Sequence, residues 1–193
     1  MRQIAKEAGL SVGAAYHHFD SKQAIVAGYY EAQIEAHSAA AREALVGVEG
    51  LSERLRIVMH TALDTRASDR VLMRELAPLV VSGTDLSVFS SETTSLRERS
   101  MGLFREALEG SDLPDDLREV TTTALWTLQL GLLLYFANDE SLGQRRTRDL
   151  VDGSLSLVLT VFGALGMPVF APVRAELNQV LTNAGLLGGP MTD

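Results

Sequence analysis

Apolar residues recur at three- and four-residue intervals along almost the whole chain, and nowhere do they alternate as a half-buried strand requires. Over residues 22–46, Ile25, Val26, Tyr29 and Ile34 mark a long helix, with Asp20 and Gln23 spaced for a capping-box start. After a break at Gly47 and Gly50, Leu55, Val58, Met59 and Leu63 repeat the pattern over 51–66. A shorter helix is expected over 69–81. Pro78 should kink or end it, since proline lacks the amide donor and clashes with the preceding turn. A polar loop at 82–85 leads into a helix over 86–109, with Phe89, Leu96, Leu103, Phe104 and Leu108 inside and Gly110 closing it.

The helices predicted over 117–138 and 147–165 carry more than one apolar stripe. Leu125, Leu128, Leu132 and Tyr135 lie on one side of the first, Leu130, Leu133, Leu134 and Ala137 on another, so these helices need partners on two sides. The polar connector 138–144 folds them into an antiparallel hairpin. A last helix, 173–184, follows Pro168 and Pro172. The pattern defines an all-α chain without internal repeats.

Composition narrows the function. A chain of 193 residues, 46 % hydrophobic, has enough apolar surface for a substantial core. A net charge of −8 argues against a uniformly basic coat, so any nucleic-acid contact must be local. The absence of cysteine removes disulfides, thiolate nucleophiles and cysteine-ligated zinc, and agrees with a reducing, cytoplasmic setting. The apolar runs 130–137 and 155–165 are too short or too interrupted to span a bilayer, so a membrane partner is not expected.

The stretch GLSVGAAYHHFDSK at residues 9–22 holds the chemistry. Its Gly9-Leu10-Ser11-Val12-Gly13 matches the G-x-S-x-G of a hydrolase nucleophile elbow, but that device needs a buried strand before the serine. Here Ile4, Ala5 and Ala8 keep helical spacing instead, and an enzyme is not expected. The coherent reading is a helix-turn-helix. A first helix ends at Gly9 in the left-handed conformation, and Ser11 caps a second helix over 12–19. Leu10, Ala15 and Phe19 then face inward, leaving Gly13, Ala14, Tyr16 and His17 to meet a groove. Tyr16, His18 and Lys22 offer donors to phosphates, while Gly13, Ala14 and His17 are placed to approach bases. Arg2, Lys6 and Lys22 against Glu7 and Asp20 leave residues 1–30 at +1 and the remainder at −9.

The run from Ile4 to Lys22, with its turn glycine, capping serine, Tyr16, His18-Phe19 and Ser21-Lys22, resembles the DNA-binding signature of the tetracycline-repressor (TetR) family. The runs 124–134 and 139–148 more weakly resemble that family's dimerisation helices. The resemblance implies an all-α homodimer in two parts. Residues 1–30 would form the DNA-binding part that reads a palindromic operator, and residues 31–193 a helical part that binds a small-molecule inducer and dimerises. It also implies a helix ahead of Arg2, so the expectation is that residues upstream of Met1 complete the head. The function expected is a ligand-responsive repressor. The alternative is a helical dimeric scaffold that binds a small molecule or protein without DNA.

Remaining candidates follow from helical faces. In the dimer, the hairpins of two chains would form a four-helix bundle through Leu125, Leu128, Leu132, Tyr135, Leu155, Val158 and Phe162, with Gly131 and Gly153 allowing close approach. An inducer cavity is expected between the helices of residues 51–109 and the start of the 117–138 helix. Met59, Leu63, Leu76, Phe104, Trp126 and Gln129 would wall it, with Gln129 or His60 fixing a hydrophobic or aromatic molecule. No cofactor is implied. His17 and His18 diverge by about 100° around their helix and make an awkward metal pair. His37 and His60 read as surface or singly hydrogen-bonded side chains, and Arg145, Arg146 and Arg148 as a solvated helix start with local ion pairs.

Overall fold

The computed structural model describes residues 2–7, 9, 11–81 and 85–187, apart from the side chains of Gln3, Ile4, Glu7, Ala15, Val80 and Val81. These residues form nine α-helices and no strand. The helices are α1 (Arg2–Glu7), α2 (Val12–His18), α3 (Lys22–Ala44), α4 (Leu51–Asp64), α5 (Arg70–Val81), α6 (Thr94–Leu108), α7 (Asp115–Asn138), α8 (Arg145–Leu165) and α9 (Ala171–Asn183).

Most helix ends lie within a turn of their predicted positions, and the departures have local causes. α3 is capped by Ser21, whose Oγ accepts from the Ala24 amide at 3.0 Å, so Asp20 is not the cap. α5 continues through Pro78 to Val81 rather than ending there. The predicted helix over 86–109 is shorter, because residues 85–93 are turns. Ser90 Oγ donates to the Asp85 carbonyl at 2.7 Å, Thr93 Oγ1 to the Ser87 carbonyl at 2.7 Å, and the Arg97 guanidinium to the Val88 carbonyl at 2.8 Å. Hydroxyl side chains that bond nearby backbone compete with helix formation, and this segment is dense in Ser and Thr.

The main core lies where α4 is enclosed by α3, α6, α7 and α8. Leu55, Val58, Met59, Leu63, Leu103, Phe104, Leu125, Phe136 and Leu155 are buried there. A smaller cluster of Leu117, Val120, Phe162 and Leu187 seats α9 against α7 and α8. Among the described residues α7 is the single unbroken helix long and apolar enough to cross a membrane, yet 56 % of its most apolar window is buried inside the molecule. Its two apolar stripes are core faces.

Side chains tie the elements together. Buried Asp139 joins the two arms of the α7–α8 hairpin, accepting from the Thr147 amide and hydroxyl at 2.9 and 2.7 Å and from the Ser141 amide at 2.9 Å. Burial opposes its ionisation, but these hydrogen bonds prevail and hold the carboxyl well below the usual range. Arg148 does not pair within its own helix start. It reaches Asp64 on α4 at 2.6 Å, next to His60, which with Arg56 holds Asp152 on α8. His37 is buried between α3 and α4, where its Nε2 donates to the Val58 carbonyl at 2.8 Å.

Candidate DNA-binding head and ligand cavity

Gly9 takes φ +67°, a conformation that only glycine adopts without strain, and its amide closes the turn on the Lys6 carbonyl at 3.1 Å. Ser11 Oγ accepts from the Ala14 amide at 3.0 Å, which is an N-cap bond. Ser11 is therefore held as a structural cap. Gly13, Tyr16, His17, His18 and Lys22 are exposed and Ala14 is half-buried, so α2 and the start of α3 present one surface of small residues, imidazoles, a phenol and an ammonium. Tyr16 is 49 % exposed, and the His17 and His18 rings stand edge-on with centroids 5.5 Å apart. The inward face expected for α2 is corrected at Phe19, which is 38 % exposed and lies over α3, its Cε1 3.2 Å from where a Gly28 Cβ would stand. Gly28 makes room for that ring. Leu10 and the Ala15 side chain, also expected to face inward, lie outside the described residues.

The second site is a partly open cavity of about 160 Å³ lined by α3, Arg66 just past α4, α5, the 85–93 turns, α6 and α7. Leu76, Trp126 and Gln129 line it as expected from the sequence. Met59, Leu63 and Phe104 do not, because α4 and α6 turn these side chains into the main core. His60 lies elsewhere, its Nε2 2.9 Å from Asp152 Oδ1 at the α4–α8 face. Sequence reasoning missed the wall supplied by α3, namely Tyr29, Tyr30, Gln33 and Ile34, and the two arginines Arg66 and Arg97. The adjacent tyrosines were the available signal, since one helix face rarely buries both unless something fills the space between.

This cavity is apolar in its leucines, Met73 and Trp126, and polar at a few points. The Trp126 ring meets Phe89 edge-on, centroids 5.9 Å apart. Tyr30 Oη, Gln33 Oε1 and Gln129 Nε2 are buried without a hydrogen-bond partner, while the Tyr29 hydroxyl leans toward Asp69. Burial, then the field of Asp69, pushes the Tyr29 phenol up to about 12, and burial also raises Tyr30. An unpaired buried polar atom costs about 1–3 kcal/mol. Three such atoms face one cavity, where a bound molecule could satisfy them.

The residues expected at the dimer face divide between two environments. Leu125, Leu132, Leu155 and Phe162 are buried in the chain's own core and Leu128 and Val158 are half-buried against it, whereas Tyr135 points outward. The outward side of the hairpin instead carries Tyr135, Leu150, Leu157 and Val161, with Gly131 and Gly153 open to approach.

A capped helix-turn-helix on an all-α body is the architecture of a DNA-binding transcriptional regulator, and family membership shows the class. Comparison with known families agrees: residues 54–173 match the tetracyclin repressor-like, C-terminal domain, and residues 1–29 match the bacterial regulatory proteins, tetR family. The first match covers well over half of the chain, and the chain belongs to the TetR family. No curated protein matches it.

Proposed function

We propose that the chain is a homodimeric repressor, held on a palindromic operator by two copies of residues 1–30 and released when a small molecule fills the cavity of the helical part, residues 31–193. The observation that carries this reading is the continuity of α3. One uninterrupted helix begins at Lys22 beside the reading surface and, about 10 Å further along its axis, lines the cavity with Tyr29, Tyr30 and Gln33. A molecule that satisfies those side chains pulls on α3, and a small rotation at its cavity end moves the α2 surface. Two heads must stand about one operator turn, 34–36 Å, apart to occupy successive major grooves, so such a rotation disfavours simultaneous contact.

Dimerisation is supported by the outward hairpin stripe of Tyr135, Leu150, Leu157 and Val161, which gives two chains a self-complementary apolar surface. In the head, Tyr16, His18 and Lys22 hold phosphates while Gly13, Ala14 and His17 approach bases. Ser11 acts by capping α2. Selection of the protein's target from random DNA tests the reading: a twofold-symmetric site bound by two chains is expected, and retention of DNA without sequence preference would overturn it.

A further inference from the structure

The cavity wall carries a charge imbalance. Among its lining residues the charged ones are Arg66 and Arg97, with no aspartate or glutamate. Arg66 is only 9 % exposed, and its guanidinium donates to the Ala62 carbonyl at 2.9 Å, Thr65 Oγ1 at 3.3 Å and the Gln33 carbonyl at 3.4 Å, all neutral acceptors. Arg97 donates to the Val88 and Ser90 carbonyls and to Thr94 Oγ1, again neutral. Asp69, near Arg66, has its oxygens engaged by Gln33 Nε2 at 2.7 Å and Ser68 Oγ at 3.0 Å, with the Tyr29 hydroxyl also turned to it. Burial pushes the Arg66 guanidinium down to about 10, against the opposing fields of Tyr29 and Asp69. A buried cation whose acceptors are all neutral is under-compensated, and an anion entering beside it relieves that cost.

The unpartnered groups sharpen the demand. Gln33 Nε2 is committed to Asp69, so its Oε1 asks for a donor. Gln129 is 4 % exposed and offers an unused N–H. Much of the remaining lining is apolar surface from Met73, Leu76, Leu96, Leu130, Leu133 and Trp126. A small, strongly hydrated anion such as a phosphate would leave that apolar surface uncovered.

Resting on the ligand-binding reading above, we infer that the cavity takes an organic carboxylic acid with a compact, ring-bearing apolar body, its carboxylate at Arg66 and its body against Trp126 and the leucines. A second polar atom would accept from Gln129.

The test is calorimetric titration of the full chain with 6-hydroxy-1-naphthylacetate and with 6-hydroxy-1-naphthylacetamide, which has the same body and ring hydroxyl without the charge. The acid is expected to bind roughly ten- to a hundredfold more tightly, the range of a charge-assisted bond in a buried site. In Arg66→Gln that preference should disappear. Because Arg66 also ties α3 to α4, Gln129→Leu supplies a second variant, in which both ligands should weaken by about tenfold while the melting temperature holds. Equal binding of acid and amide, no binding of the acid, or unchanged affinity in Gln129→Leu would each overturn the proposal. The same titrations on operator-bound protein separate the two readings. If only the amide binds and releases DNA, ligand-released repression survives and the acid class falls. If the acid binds with Arg66-dependent preference while the operator stays bound, the acid class stands and release falls.

Discussion

Lys22 and His17 lie close together on the head but are asked for different work. Lys22 sits in the first turn of α3, where its ammonium adds to the helix dipole in favouring a phosphate. Lys22→Ala should weaken binding to all DNA sequences alike and flatten the salt slope by about one unit. Fluorescence anisotropy across a salt series reads both quantities, and an unchanged slope removes Lys22 from the contact. His17→Ala should change the ranking among operator variants by about 1–3 kcal/mol, as loss of a good base contact does. Uniform weakening would make His17 a backbone contact. At this scale the caps were legible in the sequence, because Ser11 bonds an amide three residues on. Asp20 was mistaken for the cap at α3 because Ser21 bonds Ala24 by the same rule one residue later. Arg66 was not legible as a cavity residue, since nothing in a helix tail shows that its side chain folds back among α3 and α4.

Helices depend on what lies between them, and His37 links α3 to α4. Burial, reinforced by Arg66, lowers its pKa to about 4 against an ordinary value of 6.5, despite the Val58 hydrogen bond. The unfolded chain therefore binds a proton that the folded chain refuses. His37's contribution to stability is complete above pH 6.5 and is lost as pH falls toward 4, at about 1 kcal/mol per pH unit. Urea melts at pH 7 and pH 5 should show this loss, reduced in His37→Gln. A His37 imidazole that titrates near 6.5 by NMR would contradict it. The hairpin offers a second prediction. Leu155 is fully buried in the core, so Leu155→Ala should cost about 2–5 kcal/mol of stability. Leu157, two residues on and 65 % exposed, should instead disrupt the dimer on replacement by Glu, leaving secondary structure intact. Sedimentation of Leu157→Glu as an unaltered dimer would place the interface elsewhere. Helical periodicity revealed that α7 and α8 bury two faces each. It did not say which face belongs to the chain's own core, because leucines at the same spacing serve either partner.

Across the whole molecule, α3 is the element shared by head and cavity, and it crosses residue 30 without a break. The all-α architecture and the head were legible from spacing and caps, which are local. The cavity was legible only in Leu76, Trp126 and Gln129, because its other walls come from α3 and from the 85–93 turns, brought together by tertiary packing. If α3 couples the sites, the coupling is reciprocal: a ligand that lowers operator affinity by some factor must itself bind the operator complex more weakly by the same factor. Trp126, the single tryptophan, reports cavity occupancy directly. The most direct measurement follows Trp126 fluorescence and operator anisotropy together through one titration with a cavity ligand. The account predicts that operator is released as the tryptophan signal saturates, with ligand affinity reduced by the matching factor when operator is present. Saturation of Trp126 with operator affinity unchanged would contradict it.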